Sequence, residues 1–305
     1  MNTTNLPRIL YVAGYSRSGS TILEVLLESA RGTAGVGEVS FIGADWANDR
    51  LRCTCGEPYR SCPVWHDLFT SAAEAIEAHE IQRKVEGASA LASIERGNLS
   101  SELCTAYRDI MHKIFSHASA RLGAELIVDS SKSARATVGR FLTLSRYAGL
   151  DVRVLHLVRS GYATAASYAV HGSNWVQEGR IPPYPAVVPR AIVGWRIAHE
   201  RVMRLLMLVD PRKQMRMKYE DLVRDPVGAI TAIGAFSGID VAPAVDKLGR
   251  GEPFPVGHQV GGNRMRYQKA ITVNLDVTRE SSRLGLLELA VYRLAAAPLD
   301  KKFGY

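Results

Sequence analysis

The residues from Gly14 to Thr21, GYSRSGST, follow the phosphate-cradling pattern G-x-x-x-x-G-K-S/T at every defined position but one: Ser20 stands where the lysine belongs. The apolar run ILYVAGY at 9–15 leads into the loop, and a helical pattern leaves it. The amides of Arg17 to Thr21 are therefore expected to point into a concavity at the positive end of a helix dipole, which suits a phosphate or sulfonate. An ordinary Gly/Ser turn also contains G-x-x-x-x-G; the strand, the helix and the Ser-Thr ending together favour anion binding. In a triphosphate enzyme the lysine reaches the terminal phosphates, and the next hydroxyl holds magnesium. Here the cation is Arg17, earlier in the loop, whose guanidinium can hydrogen-bond a bridging or equatorial oxygen.

Three further groupings carry chemistry. In VRSGYATAASY, Arg159 follows the last apolar residues of a strand and Ser167 lies eight residues on, inside the next helix. Both can converge on a second anion, although an arginine at a strand end is also a common surface salt-bridge residue. Asp129, after Leu126-Ile127-Val128, reads as a magnesium-binding carboxylate and is the main support for a rival assignment as a magnesium-dependent kinase. Cys53, Cys55, Cys62 and His66 crowd into CTCGEPYRSCPVWH. Thiolates and imidazole are zinc's preferred donors, but this spacing is not a standard finger pattern, so the expectation is a redox-sensitive or packing cluster and no metal.

These residues need a scaffold. The runs 9–15, 124–131 (AELIVDSS) and 152–160 (VRVLHLVRS) are β-branched and apolar, each followed by a polar turn and helical periodicity, the rhythm of a doubly wound parallel sheet. A fourth strand is expected in MRMKYEDL at 215–222, with Pro226 starting the helix that follows. Residues 42–123 read as a helical cap insert, because an unstructured loop of that length is unusual in a compact domain. Residues 171–190, with four prolines, a Trp and a Tyr, read as a substrate loop over a site. The expected fold class is α/β, a phosphate-loop-type doubly wound sheet flanked by helices, in one domain spanning 1–305.

A chain of 305 residues, 47% hydrophobic, can bury such a core. The 38 Lys and Arg against 30 Asp and Glu suit an anionic ligand. They are scattered, with no nucleic-acid-binding signature, so a small polyanion is expected and no nucleic acid. There is no apolar signal block or membrane-length run, and the expected location is the cytoplasm.

Together the motifs resemble the sulfotransferases that use 3'-phosphoadenosine-5'-phosphosulfate (PAPS). The likeness runs through GYSRSGST, VRSGYATAASY, KYEDLVRDP and GHQVGGNRMR. It is greatest to the branch containing protein-tyrosine sulfotransferases and bacterial relatives, in which a Gly-Glu pair follows the first helix, as in GTAGVGEVSFI here. The resemblance implies in-line sulfuryl transfer to the hydroxyl of a small molecule or glycan, release of adenosine 3',5'-bisphosphate (PAP), and no catalytic metal. It makes Glu38 the general base and gives Arg17 and Lys132 the leaving phosphate. Ser18, Gly19, Ser20 and Thr21 would hold the 5' end. Arg159, Ser167 and Arg264 would select the 3'-phosphate; in GGNRMR, Gly262 and Asn263 allow close backbone approach, and Arg264 and Arg266, two residues apart, can frame the 3'-phosphate or the adenine end. The histidine base of the phenol and steroid enzymes has no clear counterpart; His258 and the strand residue His156 are weaker candidates. Trp46, Trp65, Trp175, Tyr184 and Trp195 are offered for stacking on the acceptor, or for the core.

Overall fold

A computed structural model describes residues 6–133, 136–273 and 283–305. Five parallel strands form the central sheet: β1 (Arg8–Ala13), β2 (Thr33–Gly35), β3 (Leu126–Asp129), β4 (Val152–Val158) and β5 (Gln214–Lys218), in the order β2-β3-β1-β4-β5. β1 lies between β3 and β4, pairing Ile9 with Ile127 on one side and Ala13 with His156 on the other. The strand order reverses at the carboxyl end of β1, which is where open α/β sheets present their ligand crevice.

The period-two alternation of β1 explains the two covering layers. Ile9 and Tyr11 join a core with Ile127, Val154, Trp65, Tyr107 and Phe115, whereas Leu10 and Val12 join one with Leu23, Leu26, Leu157 and Ile230. The first layer is supplied by the chain between β2 and β3, with helices Ile42–Trp46, Ala72–Glu86, Leu91–Arg96 and Ser101–Leu122. The second is supplied by Ser20–Leu27 and Pro226–Ser237, the latter started by Pro226 and capped by Asp225, which accepts from the Gly228 amide at 2.8 Å. Buried Trp46 and Trp65 belong to the first of these cores, and Trp195 to a separate one with Val158, Ile192 and Phe303, which removes them as acceptor-stacking residues. Among the described residues no helix is long and apolar enough to cross a membrane.

Asp129 ends β3 inside an ion-pair chain. Arg140 Nε donates to Asp129 Oδ2 at 2.7 Å and Arg140 Nη1 to Glu86 Oε1 at 2.5 Å, all three side chains being buried. A carboxylate committed in this way is a structural element of the fold, and the support it lent to a magnesium site falls away. His156 shares a 2.8 Å hydrogen bond with His199, and burial pushes its pKa well below the ordinary value. It is a neutral core histidine and does not reach the crevice.

Candidate active site

The loop after β1 is shaped by close approach. A Cβ at Gly14 would lie 2.5 Å from the Leu157 carbonyl oxygen, and one at Gly19 2.2 Å from the Tyr219 ring. Gly19 also takes a left-handed φ of 87° as the residue preceding helix Ser20–Leu27, and so offers no side chain to cap it. The first-turn amides of a helix have no partners within the helix, and here they face an open cleft of about 880 Å³. Arg17 holds a left-handed φ of 68°, which turns its side chain toward the far rim, where Nη2 donates to the Gly172 carbonyl at 2.9 Å. The Ser18 hydroxyl is buried beneath the loop, with no hydrogen-bond partner among the described residues.

The cleft is lined by Arg17, Gly19, Ser20 and Thr21 from the loop, by Glu38 and Lys132 from the ends of β2 and β3, and by Arg159 and Ser167 after β4. Glu38 and Lys132 form a buried ion pair, with Lys132 Nζ also 3.3 Å from the Ser130 carbonyl. The backbone sets this pair. Gly37 has a φ of 68° and passes so close to Val260 that a Cβ would sit 2.2 Å from its carbonyl oxygen, while the Glu38 amide donates to that oxygen at 2.5 Å. Only glycine fits before Glu38, the physical content of the Gly-Glu pair. Lys132 has a φ of 64°, and its carbonyl accepts from the Tyr11 hydroxyl.

Beneath the pair lies Glu24. It accepts from the Gly37 amide at 2.5 Å and from the Ser130 hydroxyl at 2.5 Å, tying the two loops that carry Glu38 and Lys132 to one helix. Burial, aided by the neighbouring Glu28 charge, pushes its carboxyl up to about 8. Sequence reading missed Glu24, since a carboxylate on the first helix reads as a solvated face residue.

The other wall is equally braced. Arg159 Nη1 donates to the Arg17 carbonyl at 2.9 Å, and its guanidinium lies 4.9 Å from the centre of the Tyr219 ring. Glu220 accepts from the Ser160 amide at 3.2 Å. The KYEDL stretch thus acquires a role that its residue types did not disclose: it buttresses the phosphate loop and the Arg159 turn. Asp300 accepts from the amides of Gly161 at 2.7 Å and Tyr162 at 3.3 Å, filling the N-terminus of helix Gly161–His171. An anion in the cleft must therefore be met by the Arg159 and Ser167 side chains and not by that helix end.

The residues near the C-terminal end divide. Asn263 lines the cleft and its amide lies 3.4 Å from Thr21 Oγ1; the backbone of Gly262 passes beside the same hydroxyl. Arg264 is exposed and Arg266 is buried, Nη2 donating to Glu178 Oε1 at 3.2 Å and to the Tyr267 hydroxyl at 2.7 Å. Among the described residues lining the cleft, neither arginine appears. Arg266 instead fastens the 171–190 segment, together with Arg180, which holds Asp45 and Glu178. Trp175 in that segment packs edge-on to Phe41 at 5.4 Å. His258 also lies off the cleft: its Nδ1 is 3.2 Å from Cys62 Sγ and 3.7 Å from Cys53 Sγ. His66 turns away toward the Cys62 carbonyl at 3.2 Å, so the histidine beside the three thiols is a different one from that expected.

Residues 8–243 match the profile of the family described as "Sulfotransferase family". Solved structures that share the fold include two sulfotransferase domains. The sulfotransferase domain of the olefin synthase of Synechococcus PCC 7002 is 21% identical with a TM-score of 0.52, over 99% of this chain and 97% of that one. The sulfotransferase domain from the curacin biosynthetic pathway is 18% identical with a TM-score of 0.54, over 97% and 98%. Among curated proteins nothing matches.

Proposed function

The chain belongs to the sulfotransferase family, and from that premise we propose that it transfers the sulfuryl group of PAPS to an acceptor hydroxyl, with Glu38 as general base. The observation that carries this reading is the convergence of the Glu38–Lys132 pair, the phosphate loop and the Arg159–Ser167 wall on one cleft.

In the proposed complex the 5'-phosphosulfate lies against the amides of Gly19 to Thr21, and the 3'-phosphate meets Arg159 and Ser167. Asn263 and the Gly262 backbone border the nucleotide on the Thr21 side. The acceptor enters beside Phe41 and Trp175, which flank a recess that also touches Glu38 and Lys132. Its oxygen attacks sulfur in line with the bridging oxygen of the phosphosulfate. The new O–S bond forms as the S–O bond to phosphate breaks, the hydroxyl proton passes to Glu38, and the bond electrons leave on PAP.

Lys132 and Arg17 neutralise the charge gathering on that phosphate. An ammonium has three donors, enough to serve Glu38 and a phosphate oxygen together. Holding Glu38 and Lys132 on braced loops places both charges before the donor arrives, so little reorganisation accompanies the reaction. Two features oppose the kinase alternative: Ser20 stands where the lysine is needed, and Asp129 is committed to Arg140.

The test is binding followed by transfer. PAP should raise the melting temperature without added magnesium, because a ligand held only by the folded state stabilises it. Labelled sulfate should then pass from PAPS to a hydroxyl acceptor in a phenol and glycan screen. A protein whose melting temperature is indifferent to saturating PAP, yet which transfers phosphate from magnesium ATP, would overturn the assignment.

A further inference from the structure

Outside the cleft, the side chains of Cys53, Cys55, Cys62 and His258 meet, with one donor atom from each, Sγ or a ring nitrogen, all within 4.8 Å of one another. We propose that these four residues form a structural zinc site that joins segment 53–66 to segment 257–266 and thereby seats Glu38.

The donor set and spacing fit. Zinc prefers four tetrahedral ligands of this kind, and with a zinc–sulfur bond of about 2.3 Å the edge between two sulfurs is about 3.8 Å. His258 Nδ1 lies 3.2 and 3.7 Å from the sulfurs of Cys62 and Cys53, a cage that closes around one ion with little movement. Four protein ligands leave no open position, the signature of a structural site.

A second observation points the same way. Both cysteine-bearing stretches are held in tight turns: after Cys62, the Trp65 and His66 amides donate to the Cys62 carbonyl at 3.1 and 3.0 Å. The Cys53–Cys55 stretch is itself a tight turn, closed by the Gly56 amide on the Cys53 carbonyl at 2.9 Å and by the Cys53 amide on the Glu57 carbonyl at 3.0 Å, with Gly56 at a φ of 92°.

The two segments are also stitched around the cluster. Trp65 Nε1 donates to the His258 carbonyl at 2.9 Å, and the Thr54 hydroxyl donates to the Gly257 carbonyl while accepting from the Gln259 amide at 3.0 Å. Two residues beyond His258, Val260 donates to the Val36 carbonyl and accepts from the Glu38 amide. A metal at the cluster would fix that path from outside the cleft. It takes no part in the transfer itself, which sets this inference apart from the proposed activity.

The test is metal content. Protein purified under reducing conditions, without chelator, from zinc-containing medium should hold about one zinc per chain. After exchange, Co(II) should show the visible bands of a tetrahedral site with thiolate charge transfer. His258→Ala and Cys62→Ser should each lower zinc to well under half an equivalent, while His66→Ala keeps the full complement. Should those variants fail to fold, X-ray absorption on the unmodified protein still reads the site: three sulfurs at about 2.3 Å and one nitrogen at about 2.0 Å. Negligible zinc with no cobalt spectrum, a Cys53–Cys62 disulfide in its place, or zinc that survives His258→Ala but leaves with His66→Ala would each overturn the proposal. Because metal content is read without turnover, failure here is distinguishable from failure of the transferase reading.

Discussion

Glu38 and Lys132 lie 94 residues apart in the chain and meet as a buried ion pair at one wall of the cleft. Each is set by its own backbone, Glu38 by Gly37 running against Val260 and Lys132 by a left-handed turn whose carbonyl is held by Tyr11. In the proposed reaction the pair would keep the base beside the cation that meets the leaving phosphate. Both are ready before any ligand binds, and neither charge is left uncompensated in a poorly hydrated site.

Glu38→Gln should lower kcat by about 10²–10⁴-fold, the usual contribution of a positioned general base. PAP affinity should change little, because the amide preserves the shape of the cleft and still accepts from Lys132. Stopped assays with labelled donor give the first quantity and calorimetry the second. A variant that turned over at the parental rate would remove Glu38 from the mechanism.

Asp129→Asn separates structure from catalysis. If Asp129 served a magnesium nucleotide, its loss would abolish turnover and leave stability alone. Its place in the Glu86–Arg140–Asp129 chain predicts the reverse, since removing one charge of a buried pair costs about 3–5 kcal/mol. Urea midpoints should fall accordingly, while turnover per folded molecule is retained.

Much of this site was readable along the chain because its parts are local. The strand, the Gly14–Thr21 loop and the following helix are consecutive, and their pattern alone predicts a cradle. β2 was missed: Thr33–Gly35 is three small residues, and it is small because a Cβ at Gly35 would lie 2.5 Å from the Glu24 side chain. The fate of Arg266 in GGNRMR depends on a distant partner, Glu178, which draws it inward and out of the cleft lining. The same holds for His258, whose cysteine neighbours are about two hundred residues earlier, beyond the reach of any spacing rule. Local chemistry was legible, and non-local capture of charged side chains was not.

Glu24 should make stability fall as pH rises. Its carboxyl stays protonated in the folded chain up to about 8 but ionises near 4.5 once unfolded. Across that window the folded state binds the extra proton, and stability declines on the order of 1 kcal/mol per pH unit. Below the window both states are protonated and the effect is absent. Glu24→Gln keeps an acceptor for Gly37 and a partner for Ser130, so it should remove this slope. The gap between variant and parent should move in the variant's favour from pH 5 to about 8, as read by urea midpoints. A constant gap would mean that Glu24 is ionised in the folded protein.

Ser167→Ala tests whether, as proposed, Ser167 lets the cleft tell PAP from nucleotides without a 3'-phosphate. Ser167 is buried in the wall beside Arg159, and the adjoining helix end is already taken by Asp300, so an anion there is met by side chains such as its hydroxyl. A hydrogen bond to a charged group is worth about 1.5–3 kcal/mol, which corresponds to roughly 10–150-fold in affinity. PAP binding should weaken by a factor in that range, while adenosine 5'-monophosphate, which has nothing to present to Ser167, binds as before. Calorimetric titration of both nucleotides against parent and variant gives the ratio. Equal losses for the two would place the 3'-phosphate elsewhere in the cleft and return Arg159 to its structural contacts with Arg17 and Tyr219.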